Sequence, residues 1–284
     1  MVAALTGFVD SGNAASQVSD YLKDTLDGEL VVEFDIDELL DYRARRPTIY
    51  FDQDHIAGYQ PPRLGIYLLK DDVGRPFYFL TGFEPDFKWE AFAEAVEWFV
   101  EEYDVLCVAW VHAIPMPAPH TRPVGVTVSG SRRDLVEAMS VWRPNTQAPA
   151  NAMHLVEYTL QRAGHEVVGF VVLVPHYLAD SEYPTAALVS LQSVTQATGL
   201  IFPTDRLRDE GRAFDKKIDE QVAENNELAT LVTRLEATYD EYMRERQLPS
   251  PLTSENGEVP SADTLAAELE EFLASQRSRD EDAL

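Results

Sequence analysis

Three polar turns stand where apolar runs stop, and they narrow the fold more than anything else in the chain. Gly7-Phe8-Val9-Asp10-Ser11-Gly12-Asn13 follows the apolar start from Val2 to Leu5. Pro119-His120-Thr121-Arg122-Pro123 follows the run from Val105 to Ile114, and Pro175-His176-Tyr177 follows Val167 to Val174. In an open parallel sheet the strand ends gather along one rim, and ligands sit outside that rim.

The first two-thirds of the chain alternates strand and helix patterns. Strands are expected at 2–8, 30–34, 48–51, 64–69, 76–81, 105–111, 124–128 and 167–174. Asp71-Asp72-Val73-Gly74 reads as the turn of a hairpin between the fourth and fifth of these. Helices are expected at 14–26, 86–103, 131–139, 150–163 and 182–198. This order predicts a three-layer α/β/α domain over residues 1–203, with a mainly parallel sheet and one or two antiparallel additions.

Beyond Pro203 the character changes. Phe214, Ile218, Gln221, Asn225, Leu228, Val232, Leu235, Tyr239 and Tyr242 keep a four-three spacing. That predicts one helix from about 204 to 246, with a coiled-coil-like seam interrupted by Gln221 and Asn225. Residues 248–260 read as a linker. A short amphipathic helix then carries Leu265, Leu269, Phe272 and Leu273 on one face. The two helices predict a C-terminal helical hairpin over 204–276, with a disordered tail at 277–284.

Charge and composition narrow the partners. The net charge is -26, from 23 Lys+Arg against 49 Asp+Glu. Such a surface repels phosphate backbones, so nucleic acid and anionic membranes are not expected partners; the charge reads first as a means of solubility, with a protein partner carrying a basic patch as the sharper alternative. There is no basic start with an apolar h-region, and no run of the length that spans a bilayer. One cysteine, Cys107, fits a reducing compartment. A cytoplasmic protein is expected.

The rim supplies the candidate ligand-binding residues: Asp10, Ser11, Glu84, His120, Thr121, Arg122, His176 and Tyr177. A glycine-containing turn entering a helix can present N–H groups to an anion. Its spacing matches neither common phosphate loop, and Asp10 or Ser11 also reads as a plain helix cap. Arg122 offers a fork for an anion, or an ion pair with an acidic group such as Asp10 or Glu84. His112, His120 and His176 could converge on the rim, but no short metal-ligand pair accompanies them, so no metal and no cofactor are expected. His154 and Glu157 read as a surface pair one helical turn apart. Cys107 reads as a small buried hydrophobe within a strand. Ser11, Ser129 and Ser131 are candidate nucleophiles, but no Gly-x-Ser-x-Gly elbow appears, so no catalytic residue is assigned.

Helix 86–103 carries two apolar stripes. Phe92, Val96, Phe99, Val100 and Tyr103 suit the sheet. Phe87, Ala91, Ala95 and Trp98 need another cover, either the C-terminal hairpin or a neighbouring subunit.

Four segments in order resemble the proteasome assembly chaperone 2 family in its actinobacterial form. They are Gly7-Phe8-Val9-Asp10-Ser11-Gly12; Gly82-Phe83-Glu84-Pro85-Asp86 with Trp89 and Phe92; Pro119-His120-Thr121-Arg122-Pro123; and Pro175-His176-Tyr177 with Tyr183-Pro184. The resemblance implies a three-layer fold similar to nucleoside phosphorylases, and self-association or association with a related chain; with the double-striped helix and the seam, a homo-oligomer of three copies is expected. It implies a non-enzymatic assembly or scaffold role; the alternative is a phosphate- or nucleoside-binding protein or enzyme using the rim. Relatives that dock on proteasomes end with a hydrophobic residue, Tyr and any residue. This sequence ends Asp282-Ala283-Leu284.

Overall fold

Strand β1 (Val2–Thr6) is the pivot of the molecule, lying parallel to β6 (Pro76–Phe83) on one side and to β7 (Val108–Met116) on the other. The structure is a computed structural model and describes residues 1–246. The remaining strands are β2 (Gly28–Glu33), β3 (Thr48–Asp52), β4 (His55–Gln60), β5 (Leu64–Lys70), β8 (Val126–Gly130) and β9 (Val167–Pro175). A seven-stranded sheet has the order β2-β5-β6-β1-β7-β9-β8. Its four central strands run parallel, while β5 and β8 join antiparallel to β6 and β9. The central strands are near-continuous apolar runs because both their faces are covered.

Helices α1 (Ala14–Thr25) and α6 (Pro184–Thr198) pack on one face, and α3 (Trp89–Glu102) and α5 (Ala152–Ala163) on the other. Alternation along β1 feeds both cores. Val2 and Ala4 face the first pair of helices, Ala3 and Leu5 the second. Two short helices, α2 (Ile36–Leu39) and α4 (Arg133–Met139), lie in the connections. The expected mainly parallel α/β fold is therefore the observed one.

Several elements differ in detail. Strand β7 begins at Val108 rather than Val105 and runs on to Met116, because β9 offers it a nine-residue parallel partner. Cys107 therefore precedes the strand instead of sitting within it, and it is half-buried rather than fully buried. Strand β4 was not visible in the pattern, since it is broken by Ala57-Gly58 and buries no face. Among the described residues it pairs with β3 alone, forming a separate two-stranded hairpin.

The predicted continuous helix after Pro203 breaks at Asn225. Helix α7 (Asp205–Glu224) stops there and α8 (Asn226–Arg246) starts. Asn225 is extended, and its side-chain oxygen accepts the backbone N–H groups of Glu227 and Leu228 at 3.0 and 3.2 Å. It caps a new helix instead of occupying a seam, as a short polar side chain that competes for backbone groups tends to do. The first compact unit is Met1–Ala237, so α7 and the first half of α8 belong with the sheet. A second unit begins at Thr238, helical as far as Arg246. The expected linker at 248–260, the helix around Leu265 to Leu273 and the tail at 277–284 lie outside the described residues.

Candidate functional site: the strand-end rim

The first turn spends its polar groups locally. The Asp10 carboxylate accepts the backbone N–H groups of Ala15 and Ser16 at 2.8 and 2.9 Å and the Ser16 hydroxyl at 2.7 Å. The start of α1 is thus satisfied by a side chain, and Asp10 acts as its cap. Ser11 is buried beneath it. Gly12 has φ +66°, and a Cβ there would come within 3.1 Å of the Tyr183 Cβ. Its N–H donates to the Ala179 carbonyl and its carbonyl accepts from Tyr183 N–H, which fastens the first turn to the third. Val9, a β-branched residue at φ 24°, is held in a strained conformation beside these bonds.

The second and third turns spend theirs at long range. The His120 side chain is buried between Tyr177 and Asp219 of α7. The Tyr177 hydroxyl accepts the His120 backbone N–H at 2.8 Å and lies 2.6 Å from His120 Nδ1. His120 Nε2 lies 3.2 Å from Asp219 Oδ1. A neutral imidazole satisfies both contacts only with its proton on Nε2 and the tyrosine hydroxyl donating to Nδ1. Thr121 Oγ1 donates to Glu236 of α8, and Arg122 pairs with the same carboxylate at 3.3 Å. Arg122 therefore makes an ion pair, but with Glu236 and not with Asp10 or Glu84. His176 stays exposed, its ring edge-on to Tyr177. Burial pushes the hydroxyls of Tyr177 and Tyr183 upward, so both remain protonated at neutral pH. Asp215, between these groups, is also raised, chiefly by burial.

Glu84 does not join this group. It accepts the Ala152 N–H at 3.2 Å, capping α5 beside the reciprocal Asn151–His154 capping box. Burial raises its carboxyl, with that hydrogen bond and Arg45 opposing the rise. His112 is likewise separate, its ring stacked on Phe8 and edge-on to His154. Burial, and then His154, push His112 down to about 4, so it is neutral at physiological pH. Among the described residues no cluster of His, Cys, Asp and Glu could hold a metal ion.

His154 and Glu157 are not the surface pair their spacing suggested. His154 turns back to the helix start, and Glu157 is buried, accepting Trp110 Nε1 at 2.7 Å and Ser129 Oγ at 2.8 Å. Ser129 is thereby occupied, and Ser131 Oγ is bonded to the backbone of Val167. Asp219 and Glu236, which complete the rim, are two of many carboxylates on α7 and α8, and sequence reasoning did not single them out. No local pattern marks a carboxylate whose partner lies about a hundred residues away.

The outer stripe of α3 is open. Phe87, Ala91, Ala95 and Trp98 are all exposed, Trp98 at 59%, while Phe92, Val96, Phe99 and Val100 are buried. A cleft of about 540 Å³ lies beside the first turn, lined by Thr6, Asp10, Ser16, Ser19, Lys23 and Tyr67, among others. Among the described residues, no helix is long and apolar enough to cross a membrane.

A mainly parallel sheet with helices on both faces, and a rim whose polar groups reach α7 and α8, defines an α/β protein. The chain belongs to the PAC2 family, whose pattern matches residues 4–222. It is similar to a Mycobacterium tuberculosis protein of unknown function, Rv2714, at 41% identity and TM-score 0.80, over 87% of this chain and 84% of that one. A Corynebacterium glutamicum protein of unknown function is similar at 34% identity and TM-score 0.83, over 87% and 92%. The M. tuberculosis proteasome-assembly chaperone homologue Rv2125 is similar at 26% identity and TM-score 0.73, over 81% and 98%. No curated protein matches the chain.

Proposed function

We propose that this chain is a non-enzymatic assembly or scaffold protein of the cytoplasm, working as a homo-oligomer, with three copies as the expected number. The open aromatic stripe on α3 carries the reading, in a family with a relative described as a proteasome-assembly chaperone homologue. Apolar groups that adjoin in one exposed row, as Phe87, Ala91, Ala95 and Trp98 do, suit a surface for another chain. The rim supports it from the other direction. Asp10, Glu84, His120, Thr121 and Arg122 are engaged in caps and ion pairs that hold helices in place. The net charge of -26 favours a client with a basic surface.

Native mass spectrometry of the purified chain, alone and mixed with its host's proteasome α-subunits, tests both parts. A homo-oligomer that takes up or orders those subunits supports the proposal. A monomer that ignores them overturns it. Trp98→Glu is expected to dissociate the oligomer without unfolding the chain.

A second reading is favoured by the cleft beside the first turn, whose hydroxyls, Arg63 and Lys23 (paired with Asp20 at 3.3 Å) suit a nucleoside or a small anion in a phosphorylase-like frame. Calorimetric titration with phosphate and nucleosides tests it. Heat abolished by Lys23→Ala supports it, and no heat rejects it.

A further inference from the structure

The hairpin of β3 and β4 is the other place where the chain leaves large apolar groups in water. Ile49, Tyr50, Phe51, Ile56 and Tyr59 are exposed, Tyr50 and Phe51 at 67% and 61%. The register explains how four of them share one face. Ile49 pairs with Tyr59 and Phe51 with Ile56, while the pairing skips Ala57 through a bulge. Ile49 and Phe51 are two apart and so lie on one face. Without the bulge, Ile56 and Tyr59 would fall on opposite faces; the extra residue brings them together. A lone two-stranded hairpin is marginal in water unless its apolar face is covered.

That arm is built beside the stripe on α3. Arg45, just before β3, is ion-paired with Asp86, whose carboxylate also accepts the Asp41 N–H. Lys88, at the start of α3, pairs with Glu38. Pro47 ahead of the arm and Pro61-Pro62 behind it stiffen its base. Arm and stripe therefore lie on neighbouring parts of one subunit, yet both are exposed.

We propose that the arm of one copy lies along the α3 stripe of a second copy of this chain. The inference rests on the homo-oligomer reading above and adds which surfaces meet. Their lengths agree: five paired residues extend about 17 Å at strand rise, and the fourteen residues of α3 about 21 Å at helix rise. Their charges are complementary. Glu90, Glu94, Glu97 and Glu101 form a row along one flank of the stripe, and none is in an ion pair among the described residues. Arg43 and Arg46, at the base of the arm, are exposed and likewise outside any such pair. In a chain this acidic, two open arginines beside an apolar face select a partner that offers open glutamates beside another. The tip of the arm carries Asp52 and Asp54, so charge also fixes its direction, base toward the glutamate row and tip away.

Charge reversal with exchange tests the contact by sedimentation. Arg43→Glu with Arg46→Glu, and separately Glu94→Lys with Glu97→Lys, should each weaken association by about tenfold or more. All four together should restore it. Phe51→Asp with Tyr59→Asp should also dissociate the protein with its circular dichroism unchanged. If Trp98→Glu dissociates the oligomer and the arm variants do not, the arm contact is wrong while the homo-oligomer stands. If the unaltered chain is a monomer at micromolar concentration, both fall.

Discussion

On one side of the sheet, α6 lies between the strands and a third helix, α7; on the other, α3 lies between the strands and water. The two helices are made differently. Small residues fill α6, with Ala186, Ala187, Ser190 and Ser193 buried. At Gly211 the backbone of α7 comes so close to α6 that a Cβ would meet Thr185 Oγ1 at 2.8 Å. A small surface accepts a backbone at short range and is finished within the chain. Trp98, on the outward row of α3, and Phe87, just ahead of that helix, are large and stay exposed. One flank is thus closed by the chain's own folding, and the other is left exposed.

The sharpest way to break this contrast is to place a charge on each flank. Ile218, on α7, is buried in the core that α6 and α1 share. Ile218→Asp should cost about 3–5 kcal/mol of unfolding free energy in urea, from lost burial and an unpaired buried carboxylate. Trp98→Glu should stay within about 0.5 kcal/mol of the parent monomer. Equal losses at the two positions would mean that α3 is covered within the chain after all.

The latch that seats α7 on the rim gives the next largest effect. His120→Ala leaves Tyr177 and Asp219 without their shared partner and should cost about 1–3 kcal/mol. Hydrogen exchange separates this from a general loss of stability. Amides of α7 should exchange faster while those of α3 keep their protection. Uniform acceleration would mean that His120 supports the whole sheet. Asn225→Ala should follow at about 1 kcal/mol, the usual value of a lost helix cap. Protection should fall in the first turn of α8, and a rise in helicity would instead revive a continuous seam.

How much of this was legible follows the reach of each interaction. The central strands could be read from continuous apolar runs, and Asp10 as a cap because its partners are five and six residues on. The periodicity of α3 gave Phe92, Val96, Phe99 and Val100 as its buried row, but Tyr103, counted with them, falls just past the helix and stays exposed. His120, Arg122 and Tyr177 were recognisable as a rim, yet Asp219 and Glu236 were not, since α7 and α8 present many carboxylates and sequence spacing cannot say which one returns to the rim. Asn225 misled for a local reason. Its place in a four-three pattern hid its capacity to stop one helix and cap the next. The first strand of the hairpin arm was read at 48–51, but β4 was missed because a bulge and the absence of a buried face erase the period-two signal.

Glu157 sharpens the comparison with the smallest effect, because it lies beneath the flank that α3 and α5 form. Its carboxyl is buried against Trp110 and Ser129, and burial pushes it up, with those two hydrogen bonds opposing the rise. The native protein therefore keeps this proton at a pH where the unfolded chain has released it. Stability linked to Glu157 is complete in acid, below the unfolded carboxyl's value, and declines as pH rises through the higher native one. A glutamine keeps an oxygen for Trp110 and Ser129 and has no proton to lose. Glu157→Gln should match the parent in acid and gain on it toward neutral pH, a divergence that urea unfolding across that range would measure. A constant offset at every pH would show that the carboxyl is not held protonated. The flank beneath α3 would then be stabilised by a buried charge rather than by a neutral network.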